Sequence, residues 1–333
     1  QSQSTKLEPL IFIITTEGVV TQGFLDQKLA YARKLIKGEI EDEKLLPWLY
    51  TQDSIEEIYE DKRIWQKSNP SLGVVKLESY LEDMMNKSKN DHSIKVTMLC
   101  KDFNIKQTDQ GAWLEFRDIN NTETFDIKEI SDTYAIGGVD LSNTTDLTVA
   151  LLLVIKDGKK YVLSQYFMPE DVLEKRKEED NAPYDIWLQK GLITLSPGSQ
   201  NDFSLVTQWF IKMIQQYGIR PLWIGYDPWN SLYWVKEMEE AGFTLEKVRQ
   251  GVYSLSEPMK QLEADLKNKL VNYNNNPMMK WNLANTQAKV DINGNIQPSK
   301  LGSKFKRIDG TVALIIAYAV LNRYKVEYEG MIR

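Results

Sequence analysis

Three aspartates in the second half of the chain stand next to apolar segments in a pattern typical of metal ligands. Asp140 ends one apolar run, Asp227 follows another, and Asp309 begins a long apolar helix. Regular structure on either side holds such a carboxylate still, which suits a metal ligand. Acids of this kind could hold two divalent ions for phosphodiester hydrolysis. Asp146, across a predicted hairpin from Asp140, is a fourth candidate ligand.

Each aspartate also has an ordinary structural explanation. Asp140 and Asp146 could satisfy backbone groups in a turn. Asp227 precedes Pro228 and could begin a turn or cap a helix, and Asp309 could be the N-cap of the last helix. If the acids do converge, their repulsion without metal should raise at least one pKa.

The composition excludes several other kinds of site. The 333 residues include one cysteine and one histidine, so an internal disulfide and the usual zinc ligand sets are excluded. A serine triad or a cysteine–histidine pair would need His92, which lies in a polar stretch typical of a solvated turn. No phosphate-binding G-x-x-x-x-G-K-[ST] motif occurs. Oxygen ligands then favour Mg²⁺ or Mn²⁺.

A small basic cluster precedes Asp309 in a chain whose net charge is -6. It is either a solvated loop or a contact with the phosphate backbone of DNA, which positions DNA without reading its sequence. No apolar run reaches the ~20 residues that cross a bilayer, and the N-terminus lacks a signal-peptide pattern. We therefore expect a protein that does not associate with a membrane and that is located in the cytoplasm of a cell. The basic residues are Lys300, Lys304, Lys306 and Arg307.

The pattern from Tyr134 onward predicts a mixed sheet flanked by helices, in the RNase H-like order. Asp157-Gly158 is a strong hairpin signal, and the fully apolar run 222–226 predicts an interior parallel strand. The predicted antiparallel strands are 134–140, 147–156 and 160–167, and the closing helix is 309–324.

Before this region, helical and strand-like segments alternate as in part of an α/β domain. We expect one domain over residues 1–120, whose end is a linker, and a second over 121–333. The predicted strands of the first domain are 10–14, 48–50 and 96–103.

Four motifs, taken in order, resemble the nuclease domain of bacteriophage large terminase subunits. The front of the chain is similar to the end of the ATPase domain of the same family: Thr15-Thr16-Glu17-Gly18 is similar to its coupling motif, and Asn69–Gly73 to the segment that follows. The four nuclease motifs are Gly138–Ser142, Thr145–Thr148, Tyr226–Trp229 and Arg307–Gly310.

This resemblance implies that Asp140, Asp227 and Asp309 bind two Mg²⁺ or Mn²⁺ ions and cut concatemeric double-stranded DNA. It also implies a viral packaging motor in the host cytoplasm, with the small terminase subunit and the portal protein of the procapsid as partners. ATP would be used only by the intact protein, because the family's nucleotide-binding loop would lie upstream. The chain begins at Gln1 without methionine, which favours a fragment or a processed chain.

Two other functions fit the same residues. One is another RNase H-like phosphoryl-transfer enzyme, such as a resolvase or transposase, in which the same acids act on branched or end-joined DNA. The other is a catalytically silent assembly module whose acids only cap helices and form turns.

Overall fold

The computed structural model describes residues 9–20, 23–109, 111–143, 146–229, 231–300, 302 and 306–332. The described residues divide into two compact units, one within 9–19 and 43–109, the other within 20–42 and 111–332. Helices and strands are numbered in chain order, and α1 (Phe24–Ile36) belongs to the second unit. Residues 111–120, which the prediction assigned to the first domain, fall in the second unit, where Trp113 N–H donates to the carbonyl oxygen of Thr286 at 2.8 Å. The predicted domain boundary at 120/121 stays a prediction.

The first unit is helical in its described residues. Trp65 fills its centre, where Ile58, Leu81, Leu99 and Phe103 surround it. The helices are α2 (Ile55–Glu60), a 3₁₀ helix (Lys62–Lys67), α3 (Glu78–Ser88) and α4 (His92–Lys101).

Three predicted strands, 10–14, 48–50 and 96–103, are wrong. The last lies largely in α4, because Asp91 caps the helix by accepting the N–H groups of Ser93 and Ile94. Val96 and Leu99 also recur at helical spacing, so the β-branched content of the segment was misleading. The other two runs have no neighbouring strand among the described residues with which to form a ladder.

A mixed sheet forms the centre of the second unit. Its strands are β1 (Tyr134–Asp140), β2 (Thr148–Lys156), β3 (Lys159–Pro169), β4 (Ile193–Ser196), β5 (Arg220–Tyr226), β6 (Leu245–Lys247) and β7 (Val271–Asn272), and a separate hairpin joins β8 (Thr286–Val290) to β9 (Ile296–Lys300). The strand order is β4-β3-β2-β1-β5-β6, with β7 beside β3. β1, β2 and β3 form an antiparallel meander, and β5 runs parallel to β1. The predicted sheet flanked by helices is confirmed.

Helices cover both faces of this sheet. Alternate residues of β2 point to opposite faces, so Leu151 packs in one apolar core and Leu152 in the other. No helix among the described residues is long and apolar enough to cross a bilayer. After α1, the helices of this unit are α5 (Phe116–Ile119), α6 (Leu173–Asp180), α7 (Tyr184–Gln189), α8 (Ser204–Tyr217), α9 (Leu232–Glu240), α10 (Val252–Lys267), α11 (Pro277–Ala284), α12 (Asp309–Arg323) and α13 (Lys325–Met331), with 3₁₀ turns at Ile127–Ile130 and Glu170–Val172.

Helix α12 lies directly on the sheet because two glycines remove the side chains between them. A Cβ on Gly138 of β1 would overlap the carbonyl oxygen of Ala313, and a Cβ on Gly225 of β5 would lie 2.6 Å from a methyl carbon of Val320. Gly138 and Gly225 are paired on neighbouring strands, so together they leave room for the helix on this face of the sheet. This close approach fixes how far the first residue of α12 lies from the ends of both strands.

We expect Gly138→Ala to lower the free energy of unfolding by ~1–3 kcal/mol, because the added methyl group must push the backbone of α12 away from the sheet. Urea denaturation followed by tryptophan fluorescence measures the change. Gly330→Ala is the matched control: nothing lies within 4 Å of its Cβ position in α13, so it should leave stability unchanged or raise it by ~0.5–1 kcal/mol. Equal effects of the two substitutions would contradict the close-approach argument.

Candidate active site

Asp140 and Asp227 lie at the same edge of the sheet. Asp140 is the last residue of β1, and Asp227 directly follows β5. The strands are parallel and Val139 pairs with Tyr226. Asp140 and Asp227 each come one residue after this pair, so they lie side by side at the ends of adjacent strands. Strands in a sheet are ~4.8 Å apart, which brings both carboxylates to one place.

Asp309 reaches this edge from the helix. It is the first residue of α12 and Ile308 occupies the N-cap position, so the N-cap explanation for Asp309 is wrong. Gly310 N–H donates to Asn282 Oδ1 at 2.9 Å, which ties the start of α12 to α11. Gly310 also lies against the hydroxyl of Tyr166.

Tyr166 ties the start of α12 to the level of Asp140 in the sheet. It pairs with Val149 on β2, and Val149 pairs with Asp140 on β1. Since Gly310 lies against Tyr166, α12 begins over the row of residues that contains Asp140.

The carboxylates influence one another's ionisation. Burial raises the pKa of Asp140 well above its usual range, and the charges of Asp309, Asp227 and Asp146 add to this rise. Burial also raises the pKa of Asp309 to about 7; the charge of Asp146 contributes, while Lys300 and Arg307 oppose it. Acids that are distant in the sequence therefore lie within electrostatic range of one another.

Asp146 differs from the other acids because cations neutralise it. Lys300, at the end of β9, places its Nζ 2.6 Å from Asp146 Oδ1, and Arg307 donates to the same oxygen. Burial alone would raise the pKa of Asp146, but hydrogen bonds and charge from these cations hold it below its usual range. Its N–H also donates to Ser142 Oγ at 3.0 Å, which fixes the turn after β1.

Arg307 points inward, which corrects the prediction that it contacts the DNA backbone. Its side chain is 3% exposed. Nε and Nη2 donate to the two carboxylate oxygens of Asp180, each at 2.8 Å, and the Asp180 side chain is fully buried. Tyr184 donates to Asp180 Oδ2 at 2.7 Å. Arg307 therefore positions Asp146 and the start of α12 instead of facing DNA.

The rest of the predicted basic cluster has a mixed outcome. Lys300 is ion-paired with Asp146 and Lys306 is half-buried. Lys304 lies outside the described residues. A contact of Lys300, Lys304 and Lys306 with DNA stays a prediction.

The predicted coupling motif lies in the first unit. Glu17 N–H donates to Asn104 Oδ1 at 3.1 Å, and its buried carboxylate lies 3.5 Å from Lys106 Nζ. Thr15 Oγ1 donates to the carbonyl oxygen of Thr16, and a bend at Val19 follows Gly18. A role of Thr15–Gly18 in ATPase coupling stays a prediction.

The donor set fits a divalent cation. Among the described residues, Asp309 Oδ2 is buried without a hydrogen-bond partner, an expensive state for an ionised oxygen unless a cation satisfies it. In the same residues, no group of three or more histidine, cysteine, aspartate or glutamate side chains is already arranged to hold one ion. Asp146 is engaged by cations, and Asp227 Oδ1 accepts the N–H of Trp229 at 3.1 Å. Ligation by Asp140, Asp227 and Asp309 stays a prediction.

Sequence reasoning missed two residues near this site. Asp180 ends a strongly charged helix, where nothing local distinguishes it from its exposed neighbours. Tyr166 lies in an ordinary strand, yet its hydroxyl is buried beside Asp309 and has no hydrogen-bond partner in the described structure. Only the tertiary pairing of distant segments reveals either residue.

Comparison with known families decides the relationship. A family model described as "Terminase large subunit, endonuclease domain" matches residues 39–323. The chain belongs to this family. The same sheet edge that gathers the acids is therefore the candidate nuclease site of a terminase large subunit endonuclease domain.

Two relatives and one solved structure are similar to this chain. The chain is 24% identical to Protein YmfN of Escherichia coli (strain K12), over 96% of this chain and 72% of that protein. It is 25% identical to the large terminase subunit of Enterobacteria phage HK97, over 80% of this chain and 52% of that protein. The crystal structure of the HK97 large terminase shares the fold, with a TM-score of 0.57 and 22% identity over 90% of this chain and 61% of that one. This chain thus spans only about half to three fifths of the HK97 protein.

We expect Asp180→Asn to lower the free energy of unfolding by ~3–5 kcal/mol, because it leaves the buried Arg307 guanidinium without its bidentate carboxylate. Urea denaturation measures the loss. Glu240→Gln, in an exposed 3.7 Å pair with Lys236, is the control and should show no measurable change. A loss for Asp180→Asn no larger than the control would mean that the Asp180–Arg307 pair does not anchor the site.

The raised pKa of Asp309 predicts a pH-dependent stability in metal-free buffer. Its folded pKa is about 7, above the unfolded value of ~3.9, so the folded state binds the extra proton and stability falls as pH rises between ~4 and ~7. Asp309→Asn removes this penalty. Its melting temperature should match the wild type near pH 4 and exceed it increasingly toward pH 8. An Asp309→Asn difference independent of pH would contradict the raised pKa.

Proposed function

We propose that the chain is a divalent-metal-dependent DNA endonuclease that hydrolyses phosphodiester bonds at the sheet edge. The observation that carries this proposal is the electrostatic coupling of Asp140 and Asp309, both with raised pKa values, beside Asp227. Gathering buried carboxylates is unfavourable without a cation, so the arrangement favours metal binding over a purely structural role.

Asp140, Asp227 and Asp309 would hold the metal, from two strands and one helix. Bound Mg²⁺ or Mn²⁺ ions, two per site, would supply an activated water and shield the charge of the phosphate. Lys300 and Arg307 keep Asp146 ionised and occupy its Oδ1. Rigid attachment to β1, β5 and α12 would keep the ligands in place while the DNA strand binds.

We further propose that this nuclease acts within a DNA-packaging motor of a virus and cuts concatemeric double-stranded DNA. The family and the likeness to the HK97 large terminase subunit support this role. The small terminase subunit and the portal protein would be its partners in the host cytoplasm. ATP hydrolysis would belong to the intact protein, since this sequence lacks a phosphate-binding loop motif. The first unit, with Thr15–Gly18, would be the end of the ATPase domain.

We expect supercoiled plasmid to be nicked and linearised with Mn²⁺ or Mg²⁺ and to stay intact in EDTA. Asp140→Asn, Asp227→Asn and Asp309→Asn should each slow cleavage by about a hundredfold or more, because each loses one ligand charge. Asp157→Asn is the matched control: it makes the same change in the turn between β2 and β3, where φ is +51° and asparagine is well tolerated. It should cleave at the wild-type rate.

Cleavage of linear, branched and RNA–DNA hybrid substrates, compared side by side, separates the remaining enzymatic functions. Preference for branched DNA or RNA–DNA hybrids over linear duplex would favour a resolvase-like enzyme. Unchanged nicking by Asp140→Asn would favour the catalytically silent assembly module.

A further inference from the structure

Large aromatic side chains are exposed immediately after β5 and β6. Trp229 is 77% exposed, Tyr233 is 89% exposed and Tyr253 is fully exposed. The other tryptophans of the second unit are buried or half-buried. Aromatic rings usually contribute to a core, so several exposed in one region indicate a binding surface. We call Trp229, Tyr233 and Tyr253 the aromatic rim.

The aromatic rim adjoins the candidate active site. Trp229 is two residues after Asp227, and its N–H donates to Asp227 Oδ1 at 3.1 Å. Tyr233 lies in the first turn of α9, four residues further on. β6 is parallel to β5 and ends opposite Tyr226, so the segment that leads to Tyr253 leaves the sheet at this same edge.

The charge around the aromatic rim suits a polyanion. Lys247 and Arg249, between β6 and Tyr253, are exposed, and the described structure gives neither an ion pair. The acids of α9 and α10 begin at Glu237 and Glu257, beyond the first turn of each helix. Exposed aromatic rings beside free cations are the combination by which proteins bind single strands, through base stacking and backbone charge.

We propose that the aromatic rim and Arg249 bind unpaired bases of a DNA strand beside the phosphate that is cut. The rings stack on bases that a local opening of the duplex exposes, and Arg249 contacts the backbone. Stacking tolerates any base, so this surface holds a strand in place without reading sequence. The inference rests on the proposed nuclease function, because that function makes this sheet edge the place of cleavage.

A protein partner is the other class of molecule that exposed aromatic rings could bind. Two observations favour DNA: the backbone of Trp229 is hydrogen-bonded to a proposed metal ligand, and the cations beside the rim are unpaired in the described residues. A protein on the rim would also cover the acids that a DNA strand must reach.

The test is fluorescence anisotropy with the full chain in EDTA, so that binding is measured without metal or cleavage. The probes are a labelled single strand of about 16 nucleotides, the blunt duplex of the same sequence, and that duplex with an unpaired central bubble. Trp229→Ala, Tyr233→Ala and Tyr253→Ala should each weaken binding of the single strand and the bubble by about tenfold, with a smaller effect on the blunt duplex.

Two further variants show whether stacking is the cause. Trp229→Phe keeps an aromatic face and should retain nearly wild-type affinity. Arg249→Gln should reduce the salt dependence of binding by about one phosphate contact. Trp48→Ala is the matched control, since Trp48 is 69% exposed in the first unit, and its DNA affinity should be unchanged.

Unchanged affinity of Trp229→Ala, Tyr233→Ala and Tyr253→Ala for all three probes overturns the proposal, including when a rim variant instead alters the oligomeric state. Plasmid nicking, measured in parallel, distinguishes this failure from failure of the nuclease function. Loss of single-strand affinity without any metal-dependent nicking by the wild type would support the rim and reject the nuclease. Nicking that depends on Asp140, together with rim variants that bind all three probes normally, would support the nuclease function and reject the aromatic rim as a DNA-binding surface.

Discussion

Repulsion between carboxylates is the constraint on which this part of the molecule depends. Asp140, Asp227, Asp309 and Asp146 lie within electrostatic range of one another, and burial makes their charged forms more costly. A protein can reduce this cost by protonating an acid, by pairing it or by binding a cation. At Asp140 and Asp309 the raised pKa values favour protonation, and at Asp146 the described structure has ion pairs.

The scaffold must resist this repulsion, and it does so by rigid packing. Nearly all of α12 is buried, so Asp309 cannot move away from the strand ends without disturbing a core. Gly138 lets the helix backbone lie against β1, and Asn282 holds the first turn from α11. The favourable energy of two apolar cores on opposite faces of the sheet therefore offsets the unfavourable electrostatics at its edge.

The strands of the sheet could be predicted because apolar runs and turn residues are visible within short stretches of the sequence. Apolar runs gave β1, β2 and β5, and Asp157-Gly158 gave the turn between β2 and β3. Strand-like composition gave a wrong prediction where the segment has no neighbouring strand to pair with. Residues 10–14 are β-branched and apolar, but no strand lies beside them in the described residues. In 96–103, the cap from Asp91 outweighed strand-like composition.

The same limit explains Arg307. Its neighbours in sequence are basic, which suggested an exposed contact with DNA, whereas its partner Asp180 is 127 residues away. Convergence of the aspartates could be predicted because strand order brings strand ends together, and that reasoning used only the backbone. Side-chain pairing between α6 and the start of α12 follows from packing that no local pattern encodes.

Uneven charge compensation distinguishes the acids. Asp146 shares one oxygen between Lys300 and Arg307, so a divalent ion would have to compete with two cations for it. Asp309 has a buried oxygen with no partner among the described residues, and a cation would gain that oxygen without displacing a cationic side chain. Burial and the charges of the other acids raise the pKa of Asp140, so its charged form is also costly. A bound cation would therefore relieve most strain at Asp140 and Asp309 and least at Asp146, which makes Asp146 better suited to orient cationic neighbours than to bind the ion itself.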